Sequence, residues 1–321
     1  MMKPTIKVIA AANNFHFIND LVPALSDAFD IQMIQYRDGF NKFVLDSIES
    51  ADLVWLEWAD GISTAILSSN IKFKKVILRL HRYELFTPRT LRDLSALSDE
   101  AISKIDQLVF VSEYVKQIGI QKFPWMTKGK VIPNLIDTSK FPFIDRQNGY
   151  NIMMLGRMSY VKNLPLALTM FHELLKLDDN YHLHIVGEIS DPELGYYSGN
   201  FVNKTGMKKN VHFHGRIDND KLPEFMKDMH FILCTSIFES FGMGILEAMC
   251  SGLKPVIFDF PGAETMFIDK WRWLDRTGFV QNIISHNYLP LEYNYFVVNE
   301  FSIKNKIHLY KNLISETLKG E

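Results

Sequence analysis

Residues 237–255 of this chain read Ile-Phe-Glu-Ser-Phe-Gly-Met-Gly-Ile-Leu-Glu-Ala-Met-Cys-Ser-Gly-Leu-Lys-Pro. The apolar run just before them, residues 231–235, is short enough for a buried parallel strand. The residues after the first glycine predict a helix over 243–249 that opens at Gly242 and ends before Gly252. The stretch therefore predicts a strand, a loop and a helix in immediate succession.

Two carboxylates are placed by this prediction. Glu239 falls in the loop at the carboxyl end of the strand, and Glu247 falls one to two turns into the helix. In an open α/β sheet this edge is where ligands bind. The amides at the helix start, near Gly242 and Met243, form a phosphate site. Carboxylates beside a phosphate site are suited to accepting hydrogen bonds from hydroxyls, as on a sugar and a ribose.

The rest of the chain alternates in the same way. Strands are predicted at 6–10, 31–35, 53–56, 76–80, 108–111, from 131, and then at 152–155, 183–186, 211–214, 231–234 and 255–258. Helices are predicted near 17–28, 40–50, 61–68 and 90–105, and then at 164–177, 222–229 and 243–249. This alternation is typical of parallel sheets covered on both faces. Polar residues 140–150 are the predicted linker between two such halves.

The predicted fold class is therefore α/β, with two doubly wound Rossmann-like domains. The first covers residues 1–145 and the second residues 146–300. Residues 301–321 form a terminal helix, because Ile303, Ile307, Tyr310 and Ile314 recur at helical spacing.

Composition narrows the class of protein. With 321 residues and 47% hydrophobic content, the chain can build two cores, and its net charge of −2 gives no reason to expect a nucleic acid partner. Cys234 and Cys250 share no metal-ligand spacing and are expected to be buried reduced thiols, which fits a cytoplasmic protein. No run of 18 apolar residues or signal peptide is evident, and a peripheral contact with a membrane surface stays open.

Glu-x7-Glu alone is common by chance, and two ordinary surface glutamates would explain it. Its setting is more specific: Phe-Glu-Ser-Phe-Gly, then Glu-Ala-Met, then Gly-x-x-Pro-Val. Together these elements resemble the retaining, sugar-nucleotide-dependent glycosyltransferases of the GT-B fold, the group 1 glycosyltransferases. The resemblance is strong over about 131–262. It implies two domains that face each other across a cleft, with the terminal helix crossing back to the first domain.

The resemblance also implies roles for the residues. In that family the first Glu of the motif contacts the transferred sugar and the second contacts the nucleotide ribose, which gives these roles to Glu239 and Glu247. Gly156-Arg-Met-Ser-Tyr-Val-Lys-Asn looks like the element whose cations, here Arg157 and Lys162, neutralise the nucleotide diphosphate. Such fixed cations stabilise the charge that the leaving group gains. A solvated pair in a surface loop is the simpler alternative.

A histidine and an acidic residue follow the strand at 76–80. The resemblance implies that His81 faces the donor sugar from the first domain and that Glu84 is the acidic residue that often follows it. A structural histidine bonded to a neighbouring carbonyl is the alternative. Together with Glu239, Lys162 and Arg157, His81 completes the predicted catalytic set.

The remaining predicted donor-binding residues are Gly215, Arg216, Leu222 and Asn134. The stretch of residues 211–217 resembles the strand-to-glycine turn of the family, which implies that Gly215 borders the nucleotide base, with Arg216 and Leu222 as wall residues. A plain β-turn glycine is the alternative. Ser112 and Asn134 match family elements near the cleft, although Ser112 could equally cap a helix and Asn134 make a turn.

No metal site is predicted. His182 and His184, like His212 and His214, alternate along strands, and a half-buried sheet face explains each pair as well as a metal does. The Asp-x-Asp of residues 218–220 is explained by capping of the next helix.

One loop departs from the family. Many members carry a Gly-Gly pair after the first strand, whereas residues 11–17 here contain no glycine. Asn13, Asn14 and His16 are candidates for side-chain contacts in its place. Recognition of the acceptor is therefore not carried over from the family.

The leading hypothesis is a retaining transfer of a sugar from a nucleotide-diphosphate donor, UDP before GDP, to a hydroxyl of a saccharide or lipid-linked acceptor in cell-surface polysaccharide synthesis. No further cofactor is implied, and internal return is favoured over a covalent intermediate because no nucleophile is evident. The alternatives are a non-catalytic sugar-nucleotide-binding subunit and a GT-B epimerase. The base, the sugar, the acceptor and the oligomeric state are left open.

Overall fold

A computed structural model describes residues 3–11, 14–36, 42–285 and 287–320 of the chain. It divides into two compact units: Met1–Leu135 together with Phe301–Glu321, and Ile136–Glu300. Each unit contains one sheet of six parallel strands with helices between them, so the predicted α/β class with two doubly wound units is confirmed.

The first unit contains strands β1 to β6: Thr5–Ala11, Asp30–Tyr36, Leu53–Leu56, Val76–Leu80, Gln107–Phe110 and Lys130–Val131. Their order in the sheet is β2-β1-β3-β4-β5-β6. The winding direction therefore reverses between β1 and β3, and in such sheets the ligand site lies at the carboxyl ends of the strands that flank this switch point.

The helices of this unit are α1 to α6: Val22–Leu25, Lys42–Ser50, Gly61–Ser68, Pro88–Ser95, Asp99–Ser103 and Glu113–Lys122. The long helix predicted at 17–28 is wrong, because α1 has only four residues. Pro23 lies in its first turn, and proline is tolerated there but not in the interior of a helix that began earlier. The helix predicted at 90–105 is divided in two, because the Ser98 hydroxyl caps α5 by accepting from the Ala101 amide. Of the helix predicted at 40–50, the first two residues lie outside the described residues.

The second unit contains strands β7 to β12: Asn151–Leu155, His182–Val186, Val211–Gly215, Phe231–Cys234, Lys254–Phe258 and Arg272–Trp273. Its helices α7 to α12 are Leu164–Leu175, Pro192–Lys204, Leu222–Phe225, Met243–Cys250, Arg276–Ile284 and Pro290–Phe301. The sheet order is β12-β11-β10-β7-β8-β9, which puts the switch point between β7 and β10. Helix α8 was missed, although Asp191 and Pro192 mark its start.

The boundary between the units lies after Leu135, ten residues before the predicted one. The segment that follows packs on the second unit: the Ile144 amide donates to the Ser251 carbonyl at 3.3 Å, and Cys250 Sγ lies 3.4 Å from the Phe141 carbonyl. The core of the second unit is an apolar cluster that includes Phe171, Leu183, Phe231, Val256 and Phe279.

The last helix, α13 (Ile303–Lys319), belongs to the first unit. Its residues Tyr310, Leu313 and Ile314 are buried in the same cluster as Ile6 and Trp55 of the sheet. The apolar spacing read from the sequence therefore marks the face of α13 that is covered. No helix in the described part of the chain is both long and apolar enough to cross a membrane.

Candidate active site

The switch point of the second sheet brings together two loops that are distant in sequence. The loop after β7 contains a short 3-10 helix, Tyr160–Lys162, and the loop after β10 contains Glu239. Lys162 Nζ donates to Glu239 Oε1 at 2.6 Å, across 77 residues of sequence. Both side chains are largely covered, with 23% and 13% exposed. Two of the four residues predicted to be catalytic are therefore in direct contact.

Two hydroxyl residues at the end of β10 hold this contact in place. Ser236 Oγ donates to the same oxygen of Glu239 at 2.6 Å. Thr235 Oγ1 donates to the carbonyls of Lys162 and Asn163 at 2.9 and 3.2 Å, which fixes one loop on the other. Neither residue was predicted from the sequence. Polar side chains directly after a buried strand could have indicated them, because ligands bind at the carboxyl ends of the strands in such sheets.

The environment of Glu239 also affects its neighbour Cys234. Burial, with the charge of Glu239 as the next cause, raises the pKa of this thiol to about 11. Cys234 is therefore a neutral thiol at ordinary pH and not a nucleophile. Both cysteines are buried and unpaired with each other, as predicted.

A cavity of about 300 Å³ lies at the ends of β7, β8 and β9. Arg157 and Arg216, both with exposed guanidinium-bearing side chains, line it together with Leu222. Guanidinium groups can bind a phosphate in a bidentate manner. Glu188 also lines the cavity, so the lining residues carry a net charge of one positive unit. Three of the residues predicted to contact the donor are thus brought to one cavity.

Glycines shape the wall of this cavity. At Gly187, φ is +136° and an added Cβ would lie 1.9 Å from the Gly156 carbonyl oxygen, so only glycine fits. At Gly156, φ is +129° and an added Cβ would meet Lys162 Cε at 3.0 Å. Gly187 was not predicted from the sequence, although it directly follows an apolar strand. The predicted glycine, Gly215, has φ +64° and its carbonyl accepts from the Gly187 amide at 2.7 Å.

Helix α10 begins where the sequence predicts. Gly242 precedes it in the left-handed region with φ 75°, and Met243 is its first residue. Glu247 is partly exposed on this helix, and its charge adds to burial in raising the pKa of Cys250 to about 12. Glu247 is not among the residues that line the 300 Å³ cavity, so its predicted contact with a ribose stays a prediction.

His81 lies just after β4 in the first unit and is only 1% exposed. Its ring stacks between those of Trp58 and Phe17, at centroid distances of 4.2 and 4.8 Å. Its two nitrogens lie 3.7 Å from Glu57 Oε1 and Glu84 Oε1, which is too long for hydrogen bonds but within range of charge interaction. Glu84 instead accepts from the amides of Ala59 and His81. The contact of His81 with a donor sugar stays a prediction.

A buried charged network lies beside this histidine. Arg79 Nη1 donates to Glu57 Oε1 at 3.0 Å, and Arg79 Nη2 donates to Asn134 Oδ1 and, at 2.7 Å, to Tyr310 Oη. Tyr310 in turn donates to the Pro133 carbonyl at 2.8 Å. A buried ion pair persists when further hydrogen bonds satisfy its members. The sequence did not reveal Glu57, Arg79 or Tyr310 as partners.

Asn134 is therefore placed differently from what its predicted role requires. Its side chain is 0% exposed and holds Arg79 inside the first unit. The geometry gives it a structural part, and its predicted contact with the donor finds no support here.

Two capping interpretations have different outcomes. Ser112 caps α6, since its hydroxyl accepts from the Val115 amide at 3.3 Å. The side-chain cap proposed for residues 218–220 is wrong, because α9 has Lys221 at its N-cap position without a side-chain bond. The Asp218 carbonyl makes the turn instead, accepting from the amides of Lys221 and Leu222.

The four histidines of β8 and β9 form one stacked group. His182 Nδ1 lies 3.0 Å from His212 Nε2, and His184 Nδ1 lies 3.0 Å from His214 Nε2. Burial, then the neighbouring imidazoles, lowers the pKa of His184 to about 4. Within the described ranges, no three His, Cys, Asp or Glu side chains are grouped so that they could hold a metal ion.

Little of the glycine-free loop after β1 can be assigned. Asn13 lies outside the described residues. The Asn14 carbonyl accepts from Trp58 Nε1 at 2.9 Å, and the His16 ring lies 4.0 Å from that of Phe17. The loop thus contributes to the aromatic packing around His81.

The chain is similar to known proteins both in sequence and in structure. Residues 137–281 match the family model described as glycosyl transferases group 1. A GDP-mannose:cellobiosyl-diphosphopolyprenol alpha-mannosyltransferase of Xanthomonas oryzae pv. oryzae is 26% identical over 254 residues, covering 72% of this chain and 63% of that protein. Its counterpart from Xanthomonas campestris is 27% identical, covering 74% and 64%. The matched region thus spans less than two thirds of the length of both relatives.

Solved structures show the fold. The Anabaena HepE structure in complex with UDP and glucose superposes with a TM-score of 0.79 at 14% identity, covering 98% of this chain and 100% of that one. Sucrose-phosphate synthase from Thermosynechococcus elongatus gives a TM-score of 0.75 at 13% identity, covering 99% and 100%. Residues 137–281 are therefore similar to the group 1 glycosyl transferases, and the chain has the fold of the GT-B glycosyltransferases.

Proposed function

We propose that the chain is a retaining glycosyltransferase, which moves a sugar from a nucleotide-diphosphate donor to a hydroxyl group of a saccharide or lipid-linked acceptor. The observation that carries the proposal is the 2.6 Å contact between Lys162 and Glu239 at the switch point of the second sheet. In the same unit, Arg157 and Arg216 line a 300 Å³ cavity. A fixed carboxylate for sugar hydroxyls and a group of cations for a diphosphate are the two things this transfer needs.

Each side chain has a separate task in this proposal. Glu239, held by Lys162 and Ser236, orients the hydroxyls of the donor sugar. Lys162 and Arg157 stabilise the diphosphate as the bond from the anomeric carbon to its oxygen breaks and negative charge grows there. The acceptor oxygen then bonds to the anomeric carbon on the same face, and its proton passes to the departing diphosphate. Glu247 accepts from the ribose hydroxyls.

The proposal extends to the nucleotide of the donor and to the class of the acceptor. We propose a UDP-sugar as the first donor to test. A GDP-sugar is the second, because the names of both Xanthomonas relatives contain GDP-mannose. Those names also contain a diphosphopolyprenol-linked acceptor, which supports a lipid-linked saccharide here. With such an acceptor the chain would work in the cytoplasm, in peripheral contact with the inner face of the membrane.

Ligand binding by variants tests the assignment. A thermal-shift panel of nucleotide sugars identifies the donor, because a ligand at a hundredfold excess over its dissociation constant stabilises the fold by about 2.7 kcal/mol. Glu247→Ala should then weaken the free nucleoside diphosphate and the intact donor alike, by about 1.5–3 kcal/mol for a charged hydrogen bond. Glu239→Ala should weaken only the sugar-bearing ligand.

Glu224→Ala is the matched control, because Glu224 is an exposed glutamate of the same unit and forms an ion pair with Lys227 at the surface. It should leave both affinities unchanged. Equal losses for both ligands in the Glu239 and Glu247 variants would show that the two roles are wrongly assigned.

A further inference from the structure

The second unit has a cavity at the opposite end of its sheet. Strand β11 begins at Lys254, whereas the Lys162–Glu239 contact lies at the carboxyl ends of β7 and β10. Because these strands are parallel, Lys254 and the Lys162–Glu239 contact lie at opposite edges of the sheet. Strand β12 pairs with Ile257 and Phe258, so in the described part of the chain the first residues of β11 have no strand beside them on that side. A cavity of about 240 Å³ is lined there by Lys254, Lys270, Trp271, Ser285 and Tyr293, among others.

The ammonium group of Lys254 is the unusual feature of this cavity. The residue is only 4% exposed, and its Nζ donates to Ser285 Oγ at 3.0 Å. Among the described residues no carboxylate oxygen lies within 4.0 Å of it, whereas buried charges in proteins are normally paired. Burial, and then the charge of Lys270, lowers its pKa to about 8, so that Lys254 is still mostly a cation at neutral pH. A hydroxyl group alone compensates little of that charge.

The other charges of the cavity leave an excess of one positive charge. Lys270 Nζ lies 2.5 Å from Glu292 Oε1, so these two charges cancel locally. The Tyr293 hydroxyl is already engaged, since it accepts from the Leu289 amide at 2.9 Å and donates to the Asn287 carbonyl at 3.2 Å. Lys254 therefore carries the net positive charge of the cavity, and a bound anion would neutralise it.

We propose that this cavity binds a small oxyanion, free or as the phosphate group of a small organic ester, with Lys254 Nζ and Ser285 Oγ as its donors. An ammonium and a hydroxyl side by side form charge-assisted and neutral hydrogen bonds to such oxygens. The site is independent of the proposed transfer, because it shares no residue with the contact at the switch point.

Sulfate is the probe for the first test, because its charge stays constant through the pH range in which Lys254 titrates. Isothermal titration calorimetry of sulfate into the full chain at fixed ionic strength should show a binding event that is separate from any at the donor site. Its affinity should fall by about tenfold or more in Lys254→Met, as expected for a lost charge-assisted bond. Ser285→Ala should weaken it as well, and Lys254→Arg should retain it. Affinity should fall as the pH rises from about 7 to about 9, since Lys254 loses its proton there.

The phosphate-binding residues of the proposed donor site need a separate control. Lys162→Ala should leave this sulfate affinity unchanged, so that failure of the proposed transfer and failure of this site are distinguishable. Titration of inorganic phosphate against glycerol 3-phosphate then separates the two sources: tighter binding of the ester assigns an organic phosphate, and equal binding assigns the free ion. Sulfate binding that is absent in the wild type, or that is the same in Lys254→Met and Ser285→Ala as in the wild type, would overturn the proposal.

Discussion

Replacement of Lys162 by alanine is the sharpest test of the candidate site. It removes the ammonium group that lies 2.6 Å from Glu239 Oε1, and it leaves that carboxylate with the hydrogen bond from Ser236 Oγ at 2.6 Å. Glu239 therefore keeps the Ser236 donor and its place in the loop, while the cation beside the proposed diphosphate is lost. The fold should survive, because Thr235 still bonds the carbonyls of residues 162 and 163.

The size of the effect follows from the surroundings of the pair. Because only 23% of the lysine and 13% of the glutamate side chain are exposed, water screens this contact less than it does a surface pair. Removal of one preorganised electrostatic donor costs about 2.7–4 kcal/mol of transition-state stabilisation, a factor of about 10²–10³ in kcat. The donor affinity should fall less than kcat, because the negative charge of the diphosphate is greatest in the transition state.

The assay is steady-state release of the nucleoside diphosphate, with the donor chosen by the thermal-shift panel. Lys176→Ala is the matched control: Lys176 lies 2.5 Å from Glu173 in the same unit, but it is 51% exposed, and such pairs contribute about 0–1 kcal/mol. Its kcat should equal that of the wild type. Since the proposal assigns charge neutralisation to side chains, excess EDTA should leave wild-type turnover nearly unchanged. Normal turnover by the Lys162→Ala variant would show that Lys162 does not stabilise the diphosphate, and activity lost in EDTA and restored by Mg²⁺ would show that a metal ion does so instead.

Three further predictions concern the fold around the sites. Tyr310→Phe removes the bonds to Arg79 and the Pro133 carbonyl and should lower the free energy of unfolding in urea by about 1–3 kcal/mol, whereas Tyr295→Phe, at a residue 66% exposed, should change it by less than about 0.5 kcal/mol. Gly187→Ala should weaken nucleotide binding, because its Cβ would lie 1.9 Å from the Gly156 oxygen. Gly199→Ala in α8 should bind normally, because an added Cβ there would meet no atom of the described residues within 4 Å. Equal affinities in the two variants would contradict this account of the turn. The fold lowers the pKa of His184 to about 4, so its neutral form stabilises the protein above about pH 6.5 and that stability is lost as the pH falls toward 4. The urea concentration at the unfolding midpoint should therefore fall as the pH falls over this range. The fall should be less steep in His184→Gln than in the control His308→Gln, which replaces an exposed histidine. Identical slopes of midpoint against pH in the two variants would contradict the prediction.

Much of the fold was predictable from local patterns. Buried parallel strands are short apolar runs bounded by polar residues, so each is predicted from residues that are close together in the sequence. For this reason the strands were predicted correctly, apart from the two-residue β12. Helix boundaries were less accurate where the sequence carries competing signals. Pro23 and Ser98 each interrupt a stretch whose apolar spacing favours one long helix.

The buried network of the first unit shows what local patterns do not reveal. Arg79 lies in the middle of an apolar strand and Glu57 just after another, and nothing in either neighbourhood names the partner. They are 22 residues apart, and Tyr310 is 231 residues from Arg79. A sequence pattern describes residues close along the chain, whereas these partners become neighbours only when β3, β4 and α13 are packed together.

By itself the sequence determined the local setting of the candidate residues: a carboxylate in the loop after β10, a second one on α10, and Arg157 and Lys162 in the loop after β7. These positions follow from hydrophobic periodicity and from glycine and proline, which act within a few residues. Three contacts follow only from the packing of distant elements: Lys162 touches Glu239, Ser236 donates to the same oxygen, and Asn134 is enclosed with Arg79. The physical reason is the order of strands, since β7 and β10 are neighbours in the sheet although two strands separate them in the chain. That order is fixed by how whole elements bury their apolar faces.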